Sequence, residues 1–142
     1  MDMRTIEGRC HCGNIHYELA WPASEFPLTV RECSCTFCQK HGALYTSHPQ
    51  SQLFINVDNN EQLTRYRFGH ETADFVLCGR CGSLMFAICP LDGNDYAVIN
   101  ANNFENLTFQ EMIHSVTNFD EEDIDGRLRR RKKNWTPSVT FR

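Results

Sequence analysis

The most informative segment of the chain is Phe75-Val76-Leu77-Cys78-Gly79-Arg80-Cys81-Gly82-Ser83-Leu84-Met85-Phe86-Ala87-Ile88. It contains two short apolar runs, 75–77 and 84–88, which have the length and composition of strands. Between them, Cys78 and Cys81 have the Cys-x-x-Cys spacing that brings two sulfurs onto one tight turn, as in zinc knuckles. The segment therefore predicts two β-strands joined by a metal-binding turn.

The rest of the chain also has mainly strand character. Further strands are predicted at 14–19, 53–57 and 96–99, and the turn-rich residues 58–60 predict a hairpin after the second of these. Helix is scarce. One short helix is predicted over Thr36–His41, stopped by Gly42, and a second from Thr108 through Ile113, because Thr108 and Glu111 have the spacing of a capping box. These patterns indicate a mainly β fold.

Length and composition indicate one globular domain. The chain has 142 residues, of which 41% are hydrophobic, and no apolar run approaches the roughly 20 residues of a membrane helix. We expect a domain over 1–119, with 120–142 as a charged, flexible C-terminal segment of the same domain. Residues 1–8 lack the basic start and apolar stretch of a secretory signal, so we expect a cytoplasmic protein without membrane contact.

The C-terminal segment places an acidic block, 120–125, beside a basic block, 127–133. A basic run can bind nucleic acid, but the adjacent carboxylates would repel phosphates and the chain has a formal net charge of −4. We therefore do not expect a nucleic-acid partner. The two blocks are expected to pair with each other in solvent or to pack on a partner subunit, as in a homodimer.

Eight cysteines in a cytoplasmic chain favour metal binding over disulfides, because cytosolic thiols remain reduced. Seven of them are clustered, in the order Cys10 and Cys12; Cys33, Cys35 and Cys38; Cys78 and Cys81. Spacing alone does not decide which groups combine. We expect the first and last pairs to form a closed four-sulfur site and the middle three to form a site with an open coordination position. The eighth, Cys89, is expected to be a small buried apolar residue.

Three segments carry a resemblance to a known family. They are Gly8-Arg9-Cys10-His11-Cys12-Gly13-Asn14-Ile15-His16-Tyr17, Cys33-Ser34-Cys35-Thr36-Phe37-Cys38-Gln39-Lys40-His41-Gly42 and Leu77-Cys78-Gly79-Arg80-Cys81-Gly82-Ser83. In order, glycines and spacing they resemble the signature segments of the glutathione-dependent formaldehyde-activating family, whose domain also occurs in centromere protein V. The resemblance spans about residues 5 to 115.

The resemblance implies a fold of two packed antiparallel sheets with zinc knuckles, similar to B-type methionine sulfoxide reductases and a Rab exchange factor. It also implies two zinc ions, one structural on Cys10, Cys12, Cys78 and Cys81, and one catalytic on Cys33, Cys35 and Cys38. The implied activity is that of a carbon–sulfur lyase acting on an adduct of a small aldehyde with a thiol such as glutathione.

Several alternatives remain open from the residues. Lys40, His41 and Arg80 flank the expected ligands and are candidates for substrate binding, and His41 is also a candidate fourth ligand of a closed second zinc site. The domain could be a non-catalytic, zinc-stabilised module that binds protein or nucleic acid. Reductase chemistry would need a free nucleophilic cysteine, for which the sequence offers only Cys89 in an apolar setting.

Overall fold

The computed structural model describes residues 2–119 and 121–142; Met1 and Asp120, the first residue of the acidic block, lie outside the described residues. Its strands are β1 Met3–Arg9, β2 Ile15–Pro22, β3 Leu28–Cys33, β4 Leu44–Thr46, β5 Gln52–Val57, β6 Leu63–Tyr66, β7 Asp74–Cys78, β8 Leu84–Leu91, β9 Asn94–Asn100, β10 Met112–Thr117 and β11 Ser138–Phe141. Its helices are α1 Thr36–His41 and α2 Ile124–Asn134, with 3-10 turns at Asn60–Gln62, Ala101–Asn103 and Phe109–Glu111. Within the described chain, neither helix has the length and apolarity that a membrane span requires.

The strands form two sheets, which confirms the predicted mainly β class. The first sheet has the order β1-β2-β5-β11 and the second the order β10-β3-β4-β9-β8-β7-β6. Most pairs are antiparallel, but the strands added last in the chain differ: β10 pairs with β3, and β11 with β5, in parallel. Each sheet therefore gains an edge strand through a long connection rather than through a hairpin.

The main core lies between the two sheets, and the second sheet is covered on its other face as well. In β9, Ala97 and Ile99 join the core between the sheets, whereas Tyr96 and Val98 join a second cluster on the opposite face. Strands buried on both faces read as continuous apolar runs. Burial on both faces explains why β8 is apolar at successive positions. The outer face of the second sheet forms the floor of a further site.

Two local predictions are wrong. Residues 58–60 do not turn a hairpin, because β5 pairs with β2 in the first sheet whereas β6 pairs with β7 in the second. Residues 58–60 instead connect the first sheet to the second. The side chain of Asn14 holds this connection: it donates to the carbonyl of Asn59 at 3.1 Å and accepts from the N–H of Asn59 at 2.8 Å. Turn chemistry in the sequence does not reveal that the two flanking strands belong to different sheets.

The helix predicted from Thr108 is also reduced to a single 3-10 turn. Glu111 accepts a hydrogen bond from the backbone N–H of Thr108 at 3.2 Å, as a capping box requires. At Met112, however, the chain becomes strand β10 beside β3. Tertiary pairing has therefore overridden the local helix signal.

The C-terminal segment is built into the fold. Asp123 caps α2 by accepting from the N–H of Gly126 at 2.7 Å. After the helix, Thr136 exchanges two backbone hydrogen bonds of 2.9 Å with Ala97 of β9, and β11 then completes the first sheet. The acidic and basic blocks do pair: Glu122, just before α2, forms ion pairs with Arg127 and Arg130 of the helix, and α2 packs against β8.

We expect Phe86→Ala to lower the free energy of unfolding by about 3–5 kcal/mol, because Phe86 is fully buried between the sheets and its loss leaves a cavity. Phe109→Ala is the matched control, since Phe109 is 72% exposed and should change stability by no more than about 0.5 kcal/mol. Urea denaturation of both variants measures the difference. Equal effects would contradict the placement of the core.

Candidate metal centres and the adjoining pocket

The first cysteine cluster contains four thiols from two turns. Cys10 and Cys12 lie between β1 and β2 of the first sheet, and Cys78 and Cys81 lie between β7 and β8 of the second. All four sulfurs lie within 4.8 Å of one another, which confirms that these two pairs are brought together. The four-cysteine cluster therefore links the sheets covalently if a metal ion occupies it.

Both turns have the same construction. A glycine with positive φ, Gly13 at 85° and Gly82 at 81°, reverses the chain. Its N–H donates to the carbonyl of the first cysteine of the turn, at 3.1 Å in one turn and 2.8 Å in the other. Backbone N–H groups then approach the sulfurs, as Ile15 does Cys10 at 3.3 Å. These bonds favour the thiolate form that a metal ligand needs.

The spacing of the sulfurs fits a tetrahedral zinc ion. With Zn–S bonds of about 2.3 Å, neighbouring sulfurs of a tetrahedral site are separated by roughly 3.8 Å. The structure has 3.7 Å between Cys10 and Cys12 and 3.6 Å between Cys12 and Cys78. Four thiolates in this arrangement leave no position open for another ligand.

The thiols of this cluster differ in acidity. Burial raises the pKa of Cys10 to about 11. Burial acts in the same direction on Cys81, but hydrogen bonds from the Ser83 side chain and from backbone N–H groups outweigh it and lower the pKa of Cys81 to about 5. A divalent cation would favour the thiolate form of all four.

The second cluster, Cys33, Cys35 and Cys38, lies on the second sheet alone. Cys33 ends β3, Cys35 is the N-cap of α1 and Cys38 is its buried residue. The Sγ of Cys35 accepts from the N–H of Cys38 at 3.4 Å, and α1 ends at Gly42, as predicted, with the Gly42 N–H bonded to the carbonyl of Gln39. The short helix thus folds three sulfurs to within 4.8 Å of one another.

Tyr45 is a buried neighbour of this cluster that the sequence did not identify. Its hydroxyl lies 3.3 Å from the Sγ of Cys38, to which it would donate when the sulfur is ionised. A hydrogen bond with Cys33, together with burial, raises the pKa of Cys38. Burial likewise raises the pKa of Cys35. Three crowded thiols, one buried and two partly buried, are stabilised by a cation that favours their ionised form.

No histidine or carboxylate among residues 2–119 and 121–142 completes the three-cysteine cluster as a fourth ligand within that distance. The alternative in which His41 closes the site is therefore wrong: its Nδ1 lies 3.0 Å from the carbonyl of Phe37 and its ring packs on the Phe37 ring. Cys89 is fully buried, as predicted, and belongs to neither cluster.

The three-cysteine cluster opens into a cavity of about 160 Å³. Aromatic and small apolar side chains supply much of its wall, including Phe68, Phe75, Ala87 and Val98. The rest of the wall is basic, with Arg31 from β3 and three arginines from α2, which are Arg127, Arg130 and Arg131.

The structure does not bring Lys40, His41 or Arg80 to this cavity. All three are exposed, and Arg80 lies on the turn of the four-cysteine cluster rather than beside the three. Proximity in sequence to the expected ligands does not predict which residues line the cavity. In α1, Lys40 and His41 follow Cys38 closely but are exposed to solvent. The positions of the arginines that do reach the cavity follow the periodicity of the strand or helix that carries them. Arg31 is two residues before Cys33 on a strand and so shares its face.

Comparison with known proteins found a matching family and a similar solved structure. The family model described as "Glutathione-dependent formaldehyde-activating enzyme" matches residues 5–119, and the chain belongs to this family. The chain is also similar to a Rhodobacter sphaeroides protein whose crystal structure was solved in a structural genomics programme, with 26% identity and a TM-score of 0.59 over 77% of this chain and 99% of that one. A search of curated proteins gave no significant match.

We expect Cys78→Ser to destabilise the protein far more than Cys35→Ser, because the four-cysteine cluster spans both sheets whereas the three-cysteine cluster lies on one. Binding energy at a closed zinc site is folding energy, on the order of 10 kcal/mol in small zinc domains. Thermal unfolding of the two zinc-loaded variants, which carry the same chemical change, measures the difference. An equal loss of Tm would contradict a structural role for the four-cysteine cluster.

Proposed function

We propose that the protein is a zinc-dependent carbon–sulfur lyase that acts on the adduct of a small aldehyde with a glutathione-like thiol. Cys33, Cys35 and Cys38 would hold the catalytic zinc, and Cys10, Cys12, Cys78 and Cys81 a structural zinc. The observation that carries the proposal is the contrast between the clusters: four sulfurs form a closed set between the sheets, whereas three lie in the wall of a cavity.

Both clusters fit zinc by their all-sulfur donor sets and tight turns. At a three-thiolate site the metal supplies one kind of chemistry, which is to lower the pKa of a thiol that occupies the remaining coordination position. An open position inside a cavity suits catalysis, because a substrate can reach it while the surrounding walls limit access of water.

The reaction forms one carbon–sulfur bond in one direction and breaks it in the other. In the synthetic direction the thiol loses its proton, its sulfur bonds to the carbonyl carbon of the aldehyde, and the carbonyl oxygen takes up a proton to become a hydroxyl. In the lyase direction the same bond breaks and the proton returns to sulfur. No oxidant or reductant is needed, because the oxidation states of sulfur and carbon do not change overall.

Residues around the cluster have definable roles in this scheme. The hydroxyl of Tyr45, directed at the Sγ of Cys38, would hold that ligand in position and moderate its charge. The aromatic walls would exclude bulk water from the sulfur that reacts. The binding-module alternative loses its main support, because three arginines of the basic block line the protein's own cavity.

We further propose a cytoplasmic location, because cytosolic cysteines remain reduced and so remain able to act as metal ligands in the two clusters.

We expect the protein purified from a zinc-replete source to carry two zinc ions per chain, one for each cluster. Elemental analysis should show that Cys35→Ser loses one of them. His41→Ala is the matched control and should retain both, because His41 lies outside the cluster.

The same variants test the reaction. Exchange between glutathione, formaldehyde and their adduct, followed by NMR, should exceed the spontaneous rate with the zinc-loaded protein and with His41→Ala, and should return to the spontaneous rate with Cys35→Ser. If Cys35→Ser retains both zinc ions or full activity, the three-cysteine cluster is not the catalytic site.

A further inference from the structure

The cavity beside the three cysteines has an unusual charge balance. Four of its lining residues are arginines, and no aspartate or glutamate is found among the lining residues that the structure describes. Three of these arginines come from α2, which lies beyond residues 5–119, the part of the chain that the family model matches. Three of the four arginines of the basic wall thus come from the segment that follows the family match.

Two of the arginines are already neutralised in part. Arg130 forms a bidentate salt bridge with Glu122, in which both N–O distances are 3.0 Å. The Arg130 guanidinium also lies 3.7 Å from the centre of the Phe119 ring. Arg127 shares the same carboxylate at 3.5 Å. One carboxylate therefore serves two guanidinium groups, and the pair retains a net positive charge.

The other two have no carboxylate partner among residues 2–119 and 121–142. Arg131 is only 8% exposed; its Nη1 donates to the hydroxyl of Thr72 at 2.8 Å and approaches the sulfur of Cys89 at 3.5 Å, but its buried Nε has no hydrogen-bond partner. Arg31 donates to the hydroxyl of Ser47 at 3.3 Å. Arg131 therefore brings a buried positive charge, and Arg31 a partly buried one, to a cavity wall that holds no carboxylate among the described residues.

An unbalanced buried charge is costly to a folded protein, and natural structures pair such groups. Burial lowers the pKa of Arg131, and the nearby Arg127 and Arg130 act in the same direction, whereas the contact with Cys89 raises it. An anion in the cavity would relieve this cost. Arginine offers a planar fork of donors that matches the two oxygens of an oxyanion, so the missing partner is most simply part of the ligand.

The cavity also limits the size of that ligand. Its volume of about 160 Å³ is below the roughly 300–1,000 Å³ of pockets that enclose drug-sized molecules. A compact molecule that contacts both the cysteines and the arginines, which line the same cavity, matches this volume.

We propose that this cavity selects small thiols that carry an oxyanion group, which Arg131 binds together with Arg31. The identity of the bound molecule as a thiol rests on the proposed function; the oxyanion subsite rests on the arginines alone. Helix α2 is thereby a specificity element. Arg127, Arg130 and Arg131 are spaced i, i+3 and i+4, which places them on one face of the helix, whereas Arg129 is exposed and is not a lining residue.

The test compares three small thiols on the zinc-loaded full-length protein by isothermal titration calorimetry: mercaptoacetate, 2-mercaptoethanesulfonate and neutral 2-mercaptoethanol. We expect at least one charged thiol to bind about tenfold or more tightly than the neutral one, because a charge-assisted pair in a buried site contributes at least that much. The two charged probes distinguish a carboxylate from a sulfonate as the preferred oxyanion.

The variant Arg131→Gln should lose this preference while its affinity for 2-mercaptoethanol stays within about twofold. Arg129→Gln, the matched control on the exposed side of α2, should keep the preference. Because Arg131 also stacks on Trp135 at 4.7 Å, the fold of the variant is checked by circular dichroism. If Arg131→Gln does not fold, Arg31→Gln takes its place and should weaken the preference.

An undiminished preference for the charged thiol in the folded variant, or no preference in the wild type, would overturn the oxyanion subsite. The outcome is separate from that of the proposed reaction. A charge preference without any adduct turnover would reject the lyase and leave the subsite, whereas turnover without a charge preference would reject the subsite and leave the lyase.

Discussion

Four thiols contributed by two different sheets converge to within 4.8 Å, and much of the molecule depends on this convergence. Two glycine-containing turns of the same construction present the sulfurs, one from each sheet. The apolar faces of the sheets pack against each other beside this point, so a metal ion in the cluster would hold together the two layers that form the core. The second sheet is then free to use its other face for a different purpose.

That other face carries the candidate active site. Strands β8 and β9 are buried on both sides, and the side away from the first sheet forms the floor on which α1, α2 and the three-cysteine cluster lie. The two clusters are thus built on the same sheet but differ in surroundings. One lies between layers and is closed by its fourth cysteine; the other lies in a cavity wall. In the proposed function, this difference separates the structural zinc from the catalytic zinc.

The positive charge of the cavity wall comes mainly from helix α2 near the C-terminal end of the described chain. After the region that matches the family, α2 returns across the second sheet and turns one face of its basic run inward, and β11 then completes the first sheet. Glu122 balances part of that charge, and the remainder is available to a ligand. A segment that reads as a solvated charge run is therefore a wall of the cavity, and the substrate-binding candidates beside the ligands, Lys40 and His41, are exposed and do not line it.

The sequence by itself determined what depends on short-range chemistry. Cysteine spacing, turn glycines and apolar runs indicated the β class, helix α1 and the three groups of clustered cysteines, because such turns are encoded within a few residues. Tertiary structure alone decided what depends on distant partners. The capping box at Thr108 is followed by a strand because β10 pairs with the backbone of β3. Residues 58–60 connect the two sheets because β5 belongs to the first sheet and β6 to the second. Arg131 became a cavity residue because packing selected one face of α2, and a charge run in sequence carries no record of which face will be buried.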